Sequence, residues 1–113
     1  MKRRSDRLLL EDMLSAIEQI KRYLEGISFE DFCRDQMRQD AVVRQLEVIG
    51  EAARFLSEEL RNRYPQIPWQ DIIGMRHKLV HDYFEVDLRI VWDTVRFDLP
   101  QLKAWLREIL ERE

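Results

Sequence analysis

Residues Gly74 to Phe84 read GMRHKLVHDYF and contain both histidines of the chain, His77 and His81. Arg76 stands just ahead of them and Tyr83 just behind. These residue types can do chemistry. Histidine is the side chain best suited to moving protons near neutral pH. Arginine is always charged and grips a phosphate with two parallel hydrogen bonds. Tyrosine adds a hydroxyl and a stacking face. Arginine with histidine is a pair suited to metal-free RNA cleavage. The histidine helps deprotonate the 2'-hydroxyl, and the arginine holds the scissile phosphate as charge develops. A purely structural reading uses the same residues differently. His81 would cap a helix end on a carbonyl, Arg76 would pair with Asp71 or Asp82, and Tyr83 would pack in the core.

Spacing constrains the chemical reading. A continuous α-helix turns roughly 100° per residue, which puts Arg76 and Tyr83 on one face but Arg76 and His81 about 140° apart. Two routes bring Arg76 and His81 together. The helix can end near Val80 or His81, or a second copy of the chain can supply its own pair across an interface. His77 and His81 stand four apart, a spacing used by zinc-binding helices, with Asp82 or Glu85 as a further ligand. However, Lys78 follows His77 where metalloproteases place a glutamate, and there is no third histidine. No metal and no cofactor is expected. Cys33, beside Phe32, reads as a small buried apolar residue rather than a nucleophile. Glu51 follows Gly50 inside an apolar seam, so its carboxylate sits at the core edge or aims at an arginine, with Arg76 a candidate partner.

The elements that position these residues read as helices. Ser5 or Asp6 caps a first one, whose stripe is Leu10, Met13, Leu14, Ile17, Ile20 and Leu24. Gly26 ends it, and Ser28 caps a short second helix. Val42, Leu46, Ile49, Ala53, Leu56 and Leu60 step by four and three and predict the longest helix. Gly50 inside it costs about 1 kcal/mol relative to alanine, which implies close packing there. Pro65 and Pro68 make a rigid connector. A fourth helix covers WQDIIGMRHKLV from Trp69. Asp87 caps a fifth that runs from Leu88 to the C-terminus, where Pro100 either kinks it or opens a new segment capped by Asp98.

Bulk properties agree. A chain of 113 residues suggests one domain spanning 1–113. With only 3 glycines and 3 prolines, long helices are favoured over many short strands. The net charge of −3 excludes a uniformly basic nucleic-acid binder, so an RNA contact needs a local basic patch. One cysteine excludes an internal disulfide and a multi-cysteine zinc site. No apolar run reaches the ~18 residues of a membrane span, and no signal peptide opens the sequence, so the cytoplasm is expected. The sum is an all-α, up-and-down bundle of four main helices plus a short one.

Three segments carry a family resemblance: Asp40–Leu56 (DAVVRQLEVIGEAARFL), Tyr64–Phe84 (YPQIPWQDIIGMRHKLVHDYF) and Val86–Leu102 (VDLRIVWDTVRFDLPQL). In them the chain resembles the HepT-like ribonucleases of the HEPN superfamily, the toxins of HepT/MNT toxin–antitoxin pairs. The family motif of arginine, four residues, histidine, any residue, tyrosine is met by Arg76, His81 and Tyr83. The resemblance implies a HEPN bundle, a homodimer with two Arg–His pairs facing one cleft, and metal-independent endoribonuclease activity leaving a 2',3'-cyclic phosphate. It implies catalytic roles for Arg76 and His81. It makes Tyr83 the acceptor of AMP from a cognate MNT-type nucleotidyltransferase antitoxin. His77 occupies a position that is polar in the superfamily and reads, with Glu51, as a supporting residue. The other reading is a non-catalytic helical dimer that binds a nucleotidyltransferase or a nucleotide, which the acidic net charge favours.

Overall fold

The computed structural model describes residues 4–82 and 85–113, with the backbone alone described for 80–82. Helix α1 (Asp6–Leu24) starts where the Ser5 hydroxyl accepts the Leu8 N–H at 3.2 Å. It buries Leu9, Leu10, Met13, Ile17 and Ile20 along one stripe. Gly26 then takes φ 71°, the left-handed turn that lets the chain leave the helix. Ser28 caps α2 (Phe29–Cys33) through the Asp31 N–H at 3.0 Å. This short helix turns Phe32 fully into the core and leaves Cys33 exposed. The buried position expected for Cys33 is therefore Phe32's, because adjacent helical residues point about 100° apart.

Helix α3 (Gln36–Phe55) packs along α1 more extensively than any other pair of elements. The two run antiparallel. Arg38 Nε donates to the Tyr23 carbonyl at 2.7 Å near one end, and Ser57 donates to the Asp6 carboxylate at the other. That second contact also ends α3. Asp6 accepts both the N–H and the hydroxyl of Ser57, at 2.9 and 2.6 Å, and the same hydroxyl accepts the Leu60 N–H. The seam expected to run unbroken to Leu60 therefore stops at Leu56, and Leu60 reaches the core from α4 (Glu58–Arg63).

After the prolines, α5 (Trp69–Ile73) and α6 (Met75–Leu79) replace the single helix expected, with Gly74 between them. A short antiparallel pair follows, β1 (Val80–Asp82) with β2 (Glu85–Val86), in which Val80 faces Val86 and Asp82 faces Glu85. Asp87 caps α7 (Leu88–Asp93) through the Ile90 N–H at 3.0 Å. A π-helical turn, Thr94–Asp98, leads into α8 (Leu99–Arg112), with Pro100 in its first turn. Proline has no N–H and its ring crowds the carbonyl four residues back, so the wider turn ahead of it relieves both problems. The all-α reading holds apart from the hairpin. The expected four main helices and one short one become eight among the described residues, because the Ser57 cap, Gly74 and the π-helical turn each divide one long periodic run. None of the described helices is long and apolar enough to cross a membrane.

Gly50 is where α3 meets α5. A Cβ there would lie 3.1 Å from the Ile72 carbonyl oxygen and 3.4 Å from that of Ile73. The backbones touch, and this contact sets where the chain leaves α5 for α6. Gly50→Val is expected to destabilise the fold by about 1–3 kcal/mol in urea unfolding, because a branched side chain forces α5 outward. Gly50→Ala should stay near wild type, its gain of about 1 kcal/mol in helix propensity offsetting the crowding.

The start of α3 gives a pH test. The Asp35 carboxylate accepts the Arg38 N–H at 3.0 Å and its guanidinium N–H at 2.6 Å. These bonds, the backbone one foremost, hold the Asp35 pKa below its ordinary 3.8. A lowered carboxyl pKa contributes stability above the unfolded value and loses it as pH falls through the folded one. The Tm gap between wild type and Asp35→Ala should therefore be steady near neutrality and close below pH 3.8.

Candidate functional site

Gly74 joins α5 to α6 with little disturbance. Its N–H donates to the Gln70 carbonyl at 2.9 Å, and its own carbonyl accepts the His77 N–H at 3.0 Å. Arg76 follows at once and is exposed. Its Nε lies 3.7 Å from Glu47 Oε2 on α3. The Arg76 partner is therefore Glu47, not Glu51. Glu51 pairs with Arg54 at 3.3 Å. The chain leaves the Gly50 contact heading toward the N-terminal half of α3, so Arg76 reaches the carboxylate one turn earlier. Glu47 precedes Gly50 by three residues and so lies near its face of α3, a signal the sequence did carry. Asp71 faces Lys78 at 3.9 Å.

Helix α6 ends at Leu79, whose carbonyl accepts the Asp87 N–H at 2.8 Å. His81 is consequently a strand residue, in the middle of β1. The helix does break just before His81, which is one of the two routes that the spacing left open. The large angular separation that a continuous helix would impose on Arg76 and His81 does not apply. The side chain of His81 and the whole of Tyr83 lie outside the described residues, as does the geometry of a His77–His81 pair. Among the described residues no group of three or more His, Cys, Asp or Glu side chains gathers to hold a metal ion.

Arg76 and His77 open onto a groove of about 980 Å³ bounded by α1, α3 and the junction of α5 with α6. Glu51 also lines it, so Arg76, His77 and Glu51 do share one surface. Five arginines line the groove against three carboxylates, Asp12, Glu47 and Glu51. Each carboxylate is already engaged by an arginine, Asp12 by Arg4 at 2.9 Å. An RNA contact was expected to need a local basic patch, for which the basic N-terminus and scattered arginines were the sources available in the sequence. The groove gathers Arg4, Arg22, Arg44, Arg54 and Arg76, which the packing of α1, α3 and α6 brings to one surface.

A helical chain with an arginine on a cationic groove and a histidine just past the helix end fits the HEPN ribonuclease class. The Ribonuclease HepT-like family profile matches residues 13–109, and the chain belongs to that family. A protein of Thermococcus cleftensis bearing the name ribonuclease HepT is 46% identical over 102 residues, covering 90% of this chain and 93% of its own length. A protein of Caldanaerobacter subterraneus named as an RNase is 43% identical over 110 residues, covering 97% and 98%. A Methanocaldococcus jannaschii protein, also named as an RNase, is 36% identical over 111 residues, covering 98% and 96%. No solved structure gave a significant match.

The Glu47–Arg76 pair is solvent-exposed on the arginine side. An exposed ion pair contributes roughly 0–1 kcal/mol. Glu47→Gln is therefore expected to move the urea midpoint by less than that, a change read in parallel with the wild-type titration.

Proposed function

We propose that the chain is a metal-independent endoribonuclease, the toxin of a type VII HepT/MNT toxin–antitoxin system acting in the cytoplasm. The observation that carries this reading is the family membership together with Arg76 standing on a cationic groove one short turn before the helix end that precedes His81. His81 takes the proton of a ribose 2'-hydroxyl. The 2'-oxygen attacks the adjacent phosphorus, the bond from phosphorus to the 5'-oxygen breaks, and the departing oxygen takes up a proton. The product is a 2',3'-cyclic phosphate. Arg76 holds the non-bridging oxygens as negative charge grows on them. Before substrate arrives, Glu47 occupies Arg76, and a phosphate replaces that carboxylate with a better-matched, two-point contact.

A homodimer, in this reading, brings two Arg76–His81 pairs to one cleft. His77, beside Arg76, supports the cleft as a second polar group on the same groove. Tyr83 accepts AMP from a cognate MNT-type nucleotidyltransferase, its phenol oxygen displacing pyrophosphate from ATP. The added anion and its bulk then oppose RNA entry. The domain spans 1–113, and neither a resident metal nor a cofactor takes part.

Purified protein should cleave RNA with a chelator present. His81→Ala should lower the rate by roughly 10²–10⁴, the contribution of a positioned proton carrier, with its circular dichroism and dimer mass unchanged. Undiminished cleavage by that variant would sink the assignment. A dimer that binds the nucleotidyltransferase yet cuts no RNA would support the non-catalytic reading, which the net charge of −3 favours. Intact mass after co-expression with the nucleotidyltransferase should rise by discrete AMP steps in wild type and by none in Tyr83→Phe.

A further inference from the structure

The cations of the groove are not equivalent. Arg4 is held by Asp12, Arg54 by Glu51 and Arg76 by Glu47, at 2.9, 3.3 and 3.7 Å. Arg22 and Arg44 line the same groove, are exposed, and pair with no carboxylate among the described residues. The acids nearest to them in the chain are engaged elsewhere. Glu18, one turn before Arg22 on α1, is taken by Lys103. Asp40, one turn before Arg44 on α3, accepts the Gln36 amide at 2.8 Å. Both unpaired guanidiniums lie on one side of Arg76. Arg44 precedes Glu47 by three residues, so it stands one turn away on the same face of α3. Arg22 lies further in the same direction, because the next residue, Tyr23, offers its carbonyl to Arg38 across the antiparallel pair. From Glu47 to Arg38 is about 13 Å along the helix axis, a span of a few nucleotides. On the other side of Arg76, Arg54 is already neutralised by Glu51.

We propose that Arg22 and Arg44 hold the backbone phosphates next to the scissile one, so that the RNA strand leaves Arg76 along the N-terminal half of α3 rather than toward Arg54. An unpaired guanidinium offers its charge and its fork of donors directly to a phosphate. A paired one must first give up its carboxylate. The chain as a whole, with a net charge of −3, has no general attraction for a polyanion. Two uncompensated cations in line with the reacting centre supply a local one. They favour substrates that carry phosphates beyond the cut over a dinucleoside monophosphate, which has only the scissile one. These contacts go to the backbone, so they set length and direction without reading sequence. The proposal rests on the ribonuclease reading above and names the substrate class of that same groove, oligoribonucleotides that extend past the cut on one side.

Binding is read by fluorescence anisotropy of a labelled 2'-O-methyl octaribonucleotide, whose blocked 2'-oxygens prevent cleavage. For a single strand each phosphate contact contributes about 0.7 to the slope of log affinity against log salt. Arg22→Gln with Arg44→Gln should therefore flatten that slope by about 1.4, so that a rise from about 50 to about 200 mM salt weakens wild type about 7-fold more than the variant. Arg22→Lys with Arg44→Lys should keep the wild-type slope. Arg96→Gln with Arg107→Gln removes the same charge outside the groove and should also keep it. In cleavage, the groove glutamine variant should raise KM for an unmodified octaribonucleotide and leave the dinucleoside monophosphate kinetics unchanged. An unchanged slope in that variant overturns the proposal, and so does an equal flattening in the Arg96 and Arg107 variant. A change of oligomeric mass in the groove variant would place a second copy of the chain over this end of the groove, which also overturns it. If the slope flattens as expected but wild type cuts neither RNA, the ribonuclease reading fails while the phosphate contacts stand.

Discussion

The contact on which the site depends is the meeting of two backbones at Gly50. Helices normally stand apart by the thickness of their side chains. Here one side chain is missing, and the last carbonyls of α5 come within 3.1–3.4 Å of where its Cβ would be. Everything downstream inherits that position. The two short helices, the place of Arg76 over Glu47, and the end of α6 at Leu79 follow from a chain launched off α3 at one fixed point. Gly50 is destabilising by propensity and necessary by geometry. Conflicts of this kind between local and global preference are where function tends to be found.

The long helix pair that carries this launch point is held at its two ends by polar contacts and along its length by apolar ones. Asp6 grips Ser57 at one end, and Arg38 reaches the Tyr23 carbonyl at the other. Between them Leu10, Met13, Ile17, Ile20, Val42, Leu46 and Ile49 are removed from water. Apolar burial supplies most of the driving force but little precision. The hydrogen bonds fix the longitudinal register, and through it which arginines of α1 and α3 share the groove. Behind the pair, Trp92 packs on Phe32 and Phe29 with ring centroids 5.6 Å apart in both cases, which seats α7 against α2.

Much of this was legible in the sequence, and the residues say why. Ser5, Ser28 and Asp87 cap helices as read, because a cap is a local event settled by a side chain and an N–H three residues on. Gly26 was read as a helix end and takes the positive φ. The break before His81 was legible because Arg76 and His81 pose a geometric conflict on a straight helix. What failed was non-local. Ser57 looked like one more helical residue, since its cap role depends on Asp6, which lies far away in the chain. Glu51 was named as a partner for Arg76 and Glu47 was not, because the heading of α6 relative to α3 is a tertiary quantity. Cys33 was placed inside because periodicity cannot be read from a helix of five residues. The groove's cations were invisible as a group, being spread over α1, α3 and α6.

The π-helical turn at Thr94–Asp98 has a consequence for how this chain can vary. A π turn is one residue longer than the α-helical path it replaces, so it behaves as a single-residue insertion locked into the fold. Deleting one residue there would let α7 and α8 run on as an ordinary helix. The α-helical path covers the same stretch with one residue fewer, so α8 would keep its facing. The stripe Leu99, Leu102, Leu106 and Ile109 would stay in the core, and Lys103 would stay beside Glu18 on α1. A second deletion would find no bulge to absorb it and would turn that stripe by roughly 100°. The segment ahead of Pro100 therefore holds one residue of slack in chain length and no more.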